Sequence, residues 1–486
     1  MLIDMMKDKV KTVTENGAVA YKTTGNLFTN FLFKVSAYRK IEDDEIQKDF
    51  TQLYFSDKEL AIKFLFYIGD VRQGLGERKL FRVCFDTLCA LDENAAVKVL
   101  EFIPEYNRWD SLIRLIDNEN PKVVINVLDI ISGQLVKDLT ADKQISLLAK
   151  WMPSINTSSA QTRELAHKLA ALLDMNPRTY RRTLSKLRAK LKVVERDMSG
   201  GNWGLINYEA VPAKANLNYS KAFMRHDQER RQKYLEDLAA GKAKINSSVL
   251  FPHEIVAKYD DRFSYHSFVE YNETYEQMWK ALPDYALQDT LVVRDGSGSM
   301  YGQPLIVANA LSIYCAEHNN EGWKNKFITF SSHPEVVDMN GCSNLKEKLD
   351  LLRTYNDCSN TNLYATFKLL LDTALANNVP QEQMPKNILV ISDMQFDGRY
   401  MRFDSTLMED IIAEFEANGY KMPRLCFWNV AQHYANTIPI QKNDLGLVLI
   451  SGFSLNLMKM VLADELDPFE NLLKILNSER YNLLLK

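Results

Sequence analysis

The chain has 486 residues, 46% of them hydrophobic and 25% charged, enough for two or three domains with separate cores. Its six cysteines form no CxxC pair and no Cys/His zinc spacing, which argues against a disulfide framework or a zinc module and for reduced thiols in a cytoplasmic protein. The N-terminus lacks a basic-then-apolar leader and no apolar run reaches about 18 residues, so neither a signal peptide nor a membrane span is expected.

The formal net charge of −4 conceals an asymmetry. Residues 1–150 hold 21 Lys/Arg against 23 Asp/Glu, residues 151–250 hold 18 against 9, and residues 251–486 hold 20 against 31. A basic middle between neutral and acidic flanks points to an anionic partner, with a solvated helix face as the plain alternative.

In chain order, KELAIKFLFYIGDV, RKLFRVCFDTLCAL, NAAVKVLEFIPEY and RWDSLIRLID place apolar residues three and four apart and predict helices. Consecutive helices of this size suggest stacked hairpins, although no strict repeat period is visible. RQGLGERK has a GxG but no following GK[ST], so a phosphate loop is not expected. Trp109 and Trp151, at helix ends, read as packing anchors rather than base-stacking platforms.

MNPRTYRRTLSKLRAKLKVVER then predicts a helix capped by Asn176, with Pro177 in the first turn. Leu184, Leu187, Leu191 and Val194 trace an apolar stripe, while Arg178, Arg182, Lys186 and Lys190 lie every fourth residue on another side, flanked by Arg181, Arg188 and Lys192. Buried on one stripe and cationic on the other, such a helix suits tracking phosphates.

From about residue 286 short aliphatic strands alternate with amphipathic helices: DTLVVRD, KNKFITFSS, NILVISD, RLCFWNV and LGLVLISG between PLIVANALSIYCAEH, NLYATFKLLLDTALAN and STLMEDIIAEFEANG. That alternation predicts a largely parallel sheet with helices on both faces, and ligands at the carboxyl ends of its strands. Asp295, Ser297 and Ser299 leave the first strand, Asp393 follows NILVIS, and Thr361 precedes a helix. Two acids and three hydroxyls are hard oxygen donors, suited to Mg²⁺ first, with Ca²⁺ or Mn²⁺ as alternatives, and not to zinc or copper.

These residues resemble a known family. DGSGS, TNL and SDM, in this order, are similar to the metal-ion-dependent adhesion site of von Willebrand factor A (vWA) domains, whose DxSxS…T…D pattern falls on Asp295, Ser297, Ser299, Thr361 and Asp393. FLFYIGDVRQGLGERKLFR, PEYNRWDSLI, AKWMPS and PHEIV resemble the helical half of Ro-autoantigen-like (TROVE) proteins. With FSSHPE and SDMQFD they are closer to a sister family that joins such a half to a vWA domain. The resemblance implies an α plus α/β architecture: a HEAT-like helical-repeat domain over residues 1–285, able to close into a ring, then a doubly wound, Rossmann-like vWA domain over residues 286–486. It also implies a non-enzymatic protein that binds small structured or misfolded RNA through the helical half. The metal site would serve structure or recruit an acidic protein ligand. The alternative is a metal-dependent protein–protein interaction module with no RNA role.

Overall fold

The computed structural model describes residues 11–142, 144–260, 270–330, 333–355, 361–398, 406–430 and 437–485. The chain divides into two compact units, each built from two stretches: Met1–Glu42 with Ile245–Asn477, and Asp43–Lys244 with Ser478–Lys486. A single cut at 285/286, as the change in sequence pattern suggests, becomes three crossings. The reason is that both chain ends and the segment after Lys244 pack into cores distant in sequence.

The first unit is built on a six-stranded sheet. In chain order, after the N-terminal β1 (Lys11–Val13) and β2 (Val19–Tyr21), its strands are β3 (Thr290–Asp295), β4 (Lys326–Phe330), β5 (Val336–Asp338), β6 (Asn387–Ser392), β7 (Arg424–Asn429) and β8 (Leu447–Ser451). They lie in the order β5-β4-β3-β6-β7-β8. Only β5 runs antiparallel, as a hairpin arm on β4. The sheet grows first to one side of β3 and then, from β6 onward, to the other, which is the doubly wound arrangement. Its strands are nearly continuous apolar runs because helices cover both faces. Register aligns Val293, Val390, Phe427 and Leu449 across four strands, and Phe367, Leu371 and Phe415 join them in one hydrophobic core.

Two short N-terminal strands, β1 (Lys11–Val13) and β2 (Val19–Tyr21), form an antiparallel hairpin belonging to this unit. Tyr21 exchanges both backbone hydrogen bonds with Ile438, at 2.8 and 2.9 Å, and Ala18 and Phe33 enter the sheet's core. Ser36 N–H donates to Ser451 Oγ at 2.9 Å, fastening the chain beyond the helix Leu27–Phe33 to the end of β8.

The second unit is helical. Asp43–Ser56, Lys58–Gly69 and Arg78–Leu91 pack against one another, and Pro121–Thr140 is its longest helix. The expected helix over 94–106 is broken into Glu93–Val99, a 3₁₀ turn at Leu100–Phe102, and Ile103–Tyr106. Pro104 lacks the N–H that a continuous helix would direct to Leu100, so the chain tightens and restarts. Gly74, in the RQGLG segment, has a structural role: a Cβ there would stand 2.1 Å from the Tyr67 carbonyl oxygen. Residues 478–485 return to this unit, where Arg480 grips Asp70 through Nε at 2.6 Å and Nη2 at 3.0 Å.

Cys84, Cys89, Cys315 and Cys426 are buried free thiols and Cys342 is a half-buried one, while Cys358 lies outside the described residues. Among the described residues no helix is long and apolar enough to cross a membrane.

Candidate metal centre and cationic helix

β3 and β6 are adjacent parallel strands on either side of the point where the sheet changes direction of growth. Asp295 is the last residue of β3 and Asp393 follows the last residue of β6, so the topology delivers both carboxylates to one sheet edge. Asp295 Oδ1 accepts the Ser297 N–H at 2.9 Å, and Oδ2 accepts the Ser392 hydroxyl at 2.6 Å. Ser297 and Ser299 share a hydroxyl–hydroxyl hydrogen bond of 3.1 Å. Ser392 Oγ also accepts the Met394 N–H at 3.0 Å, and Asp393 Oδ1 accepts the Gln395 N–H at 3.1 Å. Met394 sits in the left-handed region at φ 63°, a strained conformation for a side-chain-bearing residue, held by these two turns.

Asp295 and Asp393 are both buried. Burial first, and then the neighbouring Asp393 charge, push the Asp295 carboxyl up to about 7, against the hydrogen bonds from Ser392 and Ser297. Two carboxylates at one buried edge repel each other unless a positive charge intervenes.

Thr361 joins from the loop before the helix Leu363–Ala376. Its hydroxyl donates to Asp397 Oδ1 at 3.2 Å and accepts the Asn16 side-chain amide at 2.8 Å. The same Asn16 nitrogen donates to the Gln395 carbonyl at 2.7 Å, and Glu15 N–H donates to Gln395 Oε1 at 2.8 Å. Thr14 Oγ1 donates to the Phe396 carbonyl at 2.7 Å, and Gly398 N–H to the Asn16 carbonyl at 3.1 Å. The turn between β1 and β2 therefore straps the Thr361 and Asp393 side of the cluster. On the opposite side Ser299 is exposed, and Tyr301 is 85% exposed.

Asn16, Ser392 and Gln395 have no counterpart among the residues picked from sequence. Ser392 had a faint signal, a hydroxyl ending an apolar strand. Asn16 had none, because it lies 345 positions from its partner.

Among the described residues no cluster of three or more His, Cys, Asp or Glu side chains could hold a metal. Any ion at this edge would rest on two carboxylates helped by hydroxyls. That donor set fits Mg²⁺, Ca²⁺ or Mn²⁺, whose charge would relieve the Asp295–Asp393 repulsion.

Comparison with known proteins divides the chain near residue 288, a different place from the 244/245 boundary of the compact units. Residues 117–287 match a family described as a domain of unknown function (DUF2828), and residues 289–480 match another (DUF7788). The chain is 30% identical over 501 aligned positions to "Uncharacterized protein L728" of Acanthamoeba polyphaga mimivirus, covering 95% of this chain and 86% of that protein. The chain belongs to the family of that viral protein. The boundary between the two matched segments, at residue 288, falls just before β3.

The cationic helix runs from Pro177 to Lys190, with Asn176 Oδ1 accepting the Thr179 N–H at 2.9 Å as its cap. Tyr180, Leu184 and Leu187 are its buried stripe. It stops earlier than the apolar spacing implies: Lys192 turns left-handed at φ 49°, and Val194 opens the separate helix Val194–Ser199. The seven cations then fall into different classes. Arg178, Arg181, Arg182, Lys186 and Lys192 are exposed, and their side chains have no hydrogen-bonding or ion-pair partner among the described residues.

Arg188 and Lys190 are also held by the fold. Arg188 donates to the Ala149 carbonyl at 2.8 Å, to Ser154 Oγ at 2.7 Å and to the Met152 carbonyl at 2.7 Å. Lys190 Nζ reaches the Asp138, Leu139 and Ala141 carbonyls at 3.3, 3.3 and 2.8 Å, at the carboxyl end of the helix Pro121–Thr140. Each of the two already satisfies internal carbonyls that would otherwise be orphaned.

Proposed function

We propose that the protein binds RNA without turning it over, through the cationic surface of its helical unit, and that its α/β unit is a vWA-like domain carrying a divalent cation. The observation that carries the reading is the row Arg178, Arg181, Arg182 and Lys186, four cations on one exposed surface without internal partners. Such a surface releases counterions on meeting phosphates, and its affinity falls steeply with salt. In the α/β unit, Asp295, Ser297, Ser299, Thr361 and Asp393 would hold the ion at the edge where β3 and β6 end. Thr361 keeps a lone pair for it because its hydrogen goes to Asp397.

The test is the joint substitution Arg178→Glu, Arg182→Glu and Lys186→Glu, with RNA retention followed by filter binding across a salt series. Loss of binding with an unchanged melting temperature supports the reading; unaltered affinity discards it.

A second reading, a module that recruits an acidic protein ligand through the ion, draws on the exposure of Ser299 and Tyr301 beside the cluster. A carboxylate-bearing partner retained only with Mg²⁺ and lost on Ser299→Ala would favour it.

A further inference from the structure

Beside the cationic helix lies a cavity of about 1180 Å³, walled on one side by Arg178, Arg181, Arg182 and Ser185 and on the other by residues 150–157. Lys150 and Arg196 add to its positive lining, and Glu195 is its only acid. A second cavity of about 630 Å³ holds Arg108 and Trp109, and the two share one side chain, Trp151. The Arg108 guanidinium lies 4.1 Å from the centre of the Trp151 ring and is steadied by Asp110, to which its Nη2 donates at 2.8 Å. The wall is fixed before any ligand arrives. Arg188 makes its three hydrogen bonds to residues 149–154, and Tyr180 donates to the Pro153 carbonyl at 2.9 Å. At about 1180 Å³ the cavity is somewhat larger than the usual small-molecule site of about 300–1,000 Å³.

A pocket cationic at one end and lined by a guanidinium-backed indole at the other matches a flat aromatic ring joined to a phosphate. We propose that this pocket takes an unpaired nucleotide, its base stacked on Trp151 and its phosphate among Arg178, Arg181 and Arg182. Duplex would be excluded, because a paired base has both faces stacked on neighbours and cannot lie on the indole. This deepens the RNA reading and rests on it for the source of the ligand: the nucleotide belongs to a single strand or is free in solution. The expectation that Trp151 acts as a packing anchor is thereby extended, since it packs under Arg108 and also borders both cavities.

The test uses the full chain with four probes: a ten-residue oligouridylate, a blunt duplex of equal length, uridine monophosphate and inorganic phosphate. Trp151→Ala is expected to weaken oligouridylate binding about tenfold, in line with stacking of one base, and to leave duplex affinity unchanged. Arg181→Glu with Arg182→Glu is expected to weaken every phosphate-bearing probe. Mononucleotide binding as tight as that of the oligouridylate identifies a free nucleotide as the ligand, and weaker binding identifies a strand. Because Trp151→Ala also removes packing, photocrosslinking of wild-type protein to 5-iodouridine oligonucleotide provides an independent arm. An adduct on Trp151 upholds the pocket, and adducts only elsewhere overturn it. Oligouridylate affinity unmoved by Trp151→Ala but abolished by the arginine reversals sinks the nucleotide pocket while leaving RNA binding standing. No binding of any nucleic acid by the wild type sinks both.

Discussion

Asn16 donates its side-chain amide to the Thr361 hydroxyl at 2.8 Å across 345 positions of sequence, and thereby sets which way that hydroxyl points. With one lone pair occupied by Asn16 and its hydrogen given to Asp397, Thr361 has a single lone pair left, and its direction is determined. Groups that orient a ligand in this way commonly matter about 10- to 100-fold for metal affinity. Asn16→Ala should therefore lower Mg²⁺ affinity about tenfold, read by calorimetry, with little change in melting temperature without metal. Equal affinity in the two proteins would show that Asn16 does not orient a ligand.

The same strap is tested from its other side by Gly398→Ala. A Cβ at Gly398 would stand 2.1 Å from the Gly17 carbonyl oxygen and 2.6 Å from the Ala18 nitrogen, and backbone atoms cannot yield as a flexible side chain would. The turn between β1 and β2 should be displaced, making residues 11–21 sensitive to limited proteolysis and reproducing the metal defect of Asn16→Ala. Resistance to protease equal to wild type would contradict this.

Asp295→Asn removes one of two buried, mutually repelling carboxylates while Oδ1 still accepts the Ser297 N–H. Relief of about 1 kcal/mol raises the melting temperature by about 2–4 °C for a unit of this size in metal-free buffer. Mg²⁺ should stabilise the wild type and leave this variant unaffected. A variant that still gains stability from Mg²⁺ would place the ion elsewhere.

Lys186 and Lys190 stand one turn apart and should respond in opposite ways. Lys186→Ala should leave stability unchanged and reduce the salt slope of single-stranded RNA binding by about 0.7, the loss of one phosphate contact. Lys190→Ala frees three carbonyls at the end of Pro121–Thr140 and should cost about 1 kcal/mol in chemical denaturation. Identical behaviour of the two variants would refute their different assignments.

Arg480 and Asp70 form a two-pronged pair in which Asp70 is fully buried and also accepts the Tyr481 hydroxyl at 3.0 Å. Arg480→Ala strands that carboxylate and should cost about 3–5 kcal/mol in chemical denaturation of the full chain. A loss below about 1 kcal/mol would mean the pair acts as a surface ion pair despite its burial.

Hydrophobic periodicity and turn chemistry are written in short windows, and what depends on them was readable from the residues alone. The strands around Val293, Val390, Phe427 and Leu449, the helix capped by Asn176, and the placing of Asp295 and Asp393 at strand ends all follow from neighbours within a few positions. Partnerships between distant segments were decided only on folding. No local pattern tells Arg188 and Lys190, which turn inward to carbonyls some 36 to 52 positions away, from Lys186, which stays in solvent. Nor does any announce that the turn at Asn16 crosses the sheet edge, or that Trp151 borders two cavities. A charged or polar side chain has the same chemistry wherever it stands. Whether it meets a carbonyl, a carboxylate or open solvent is settled by which surfaces the packed chain brings together.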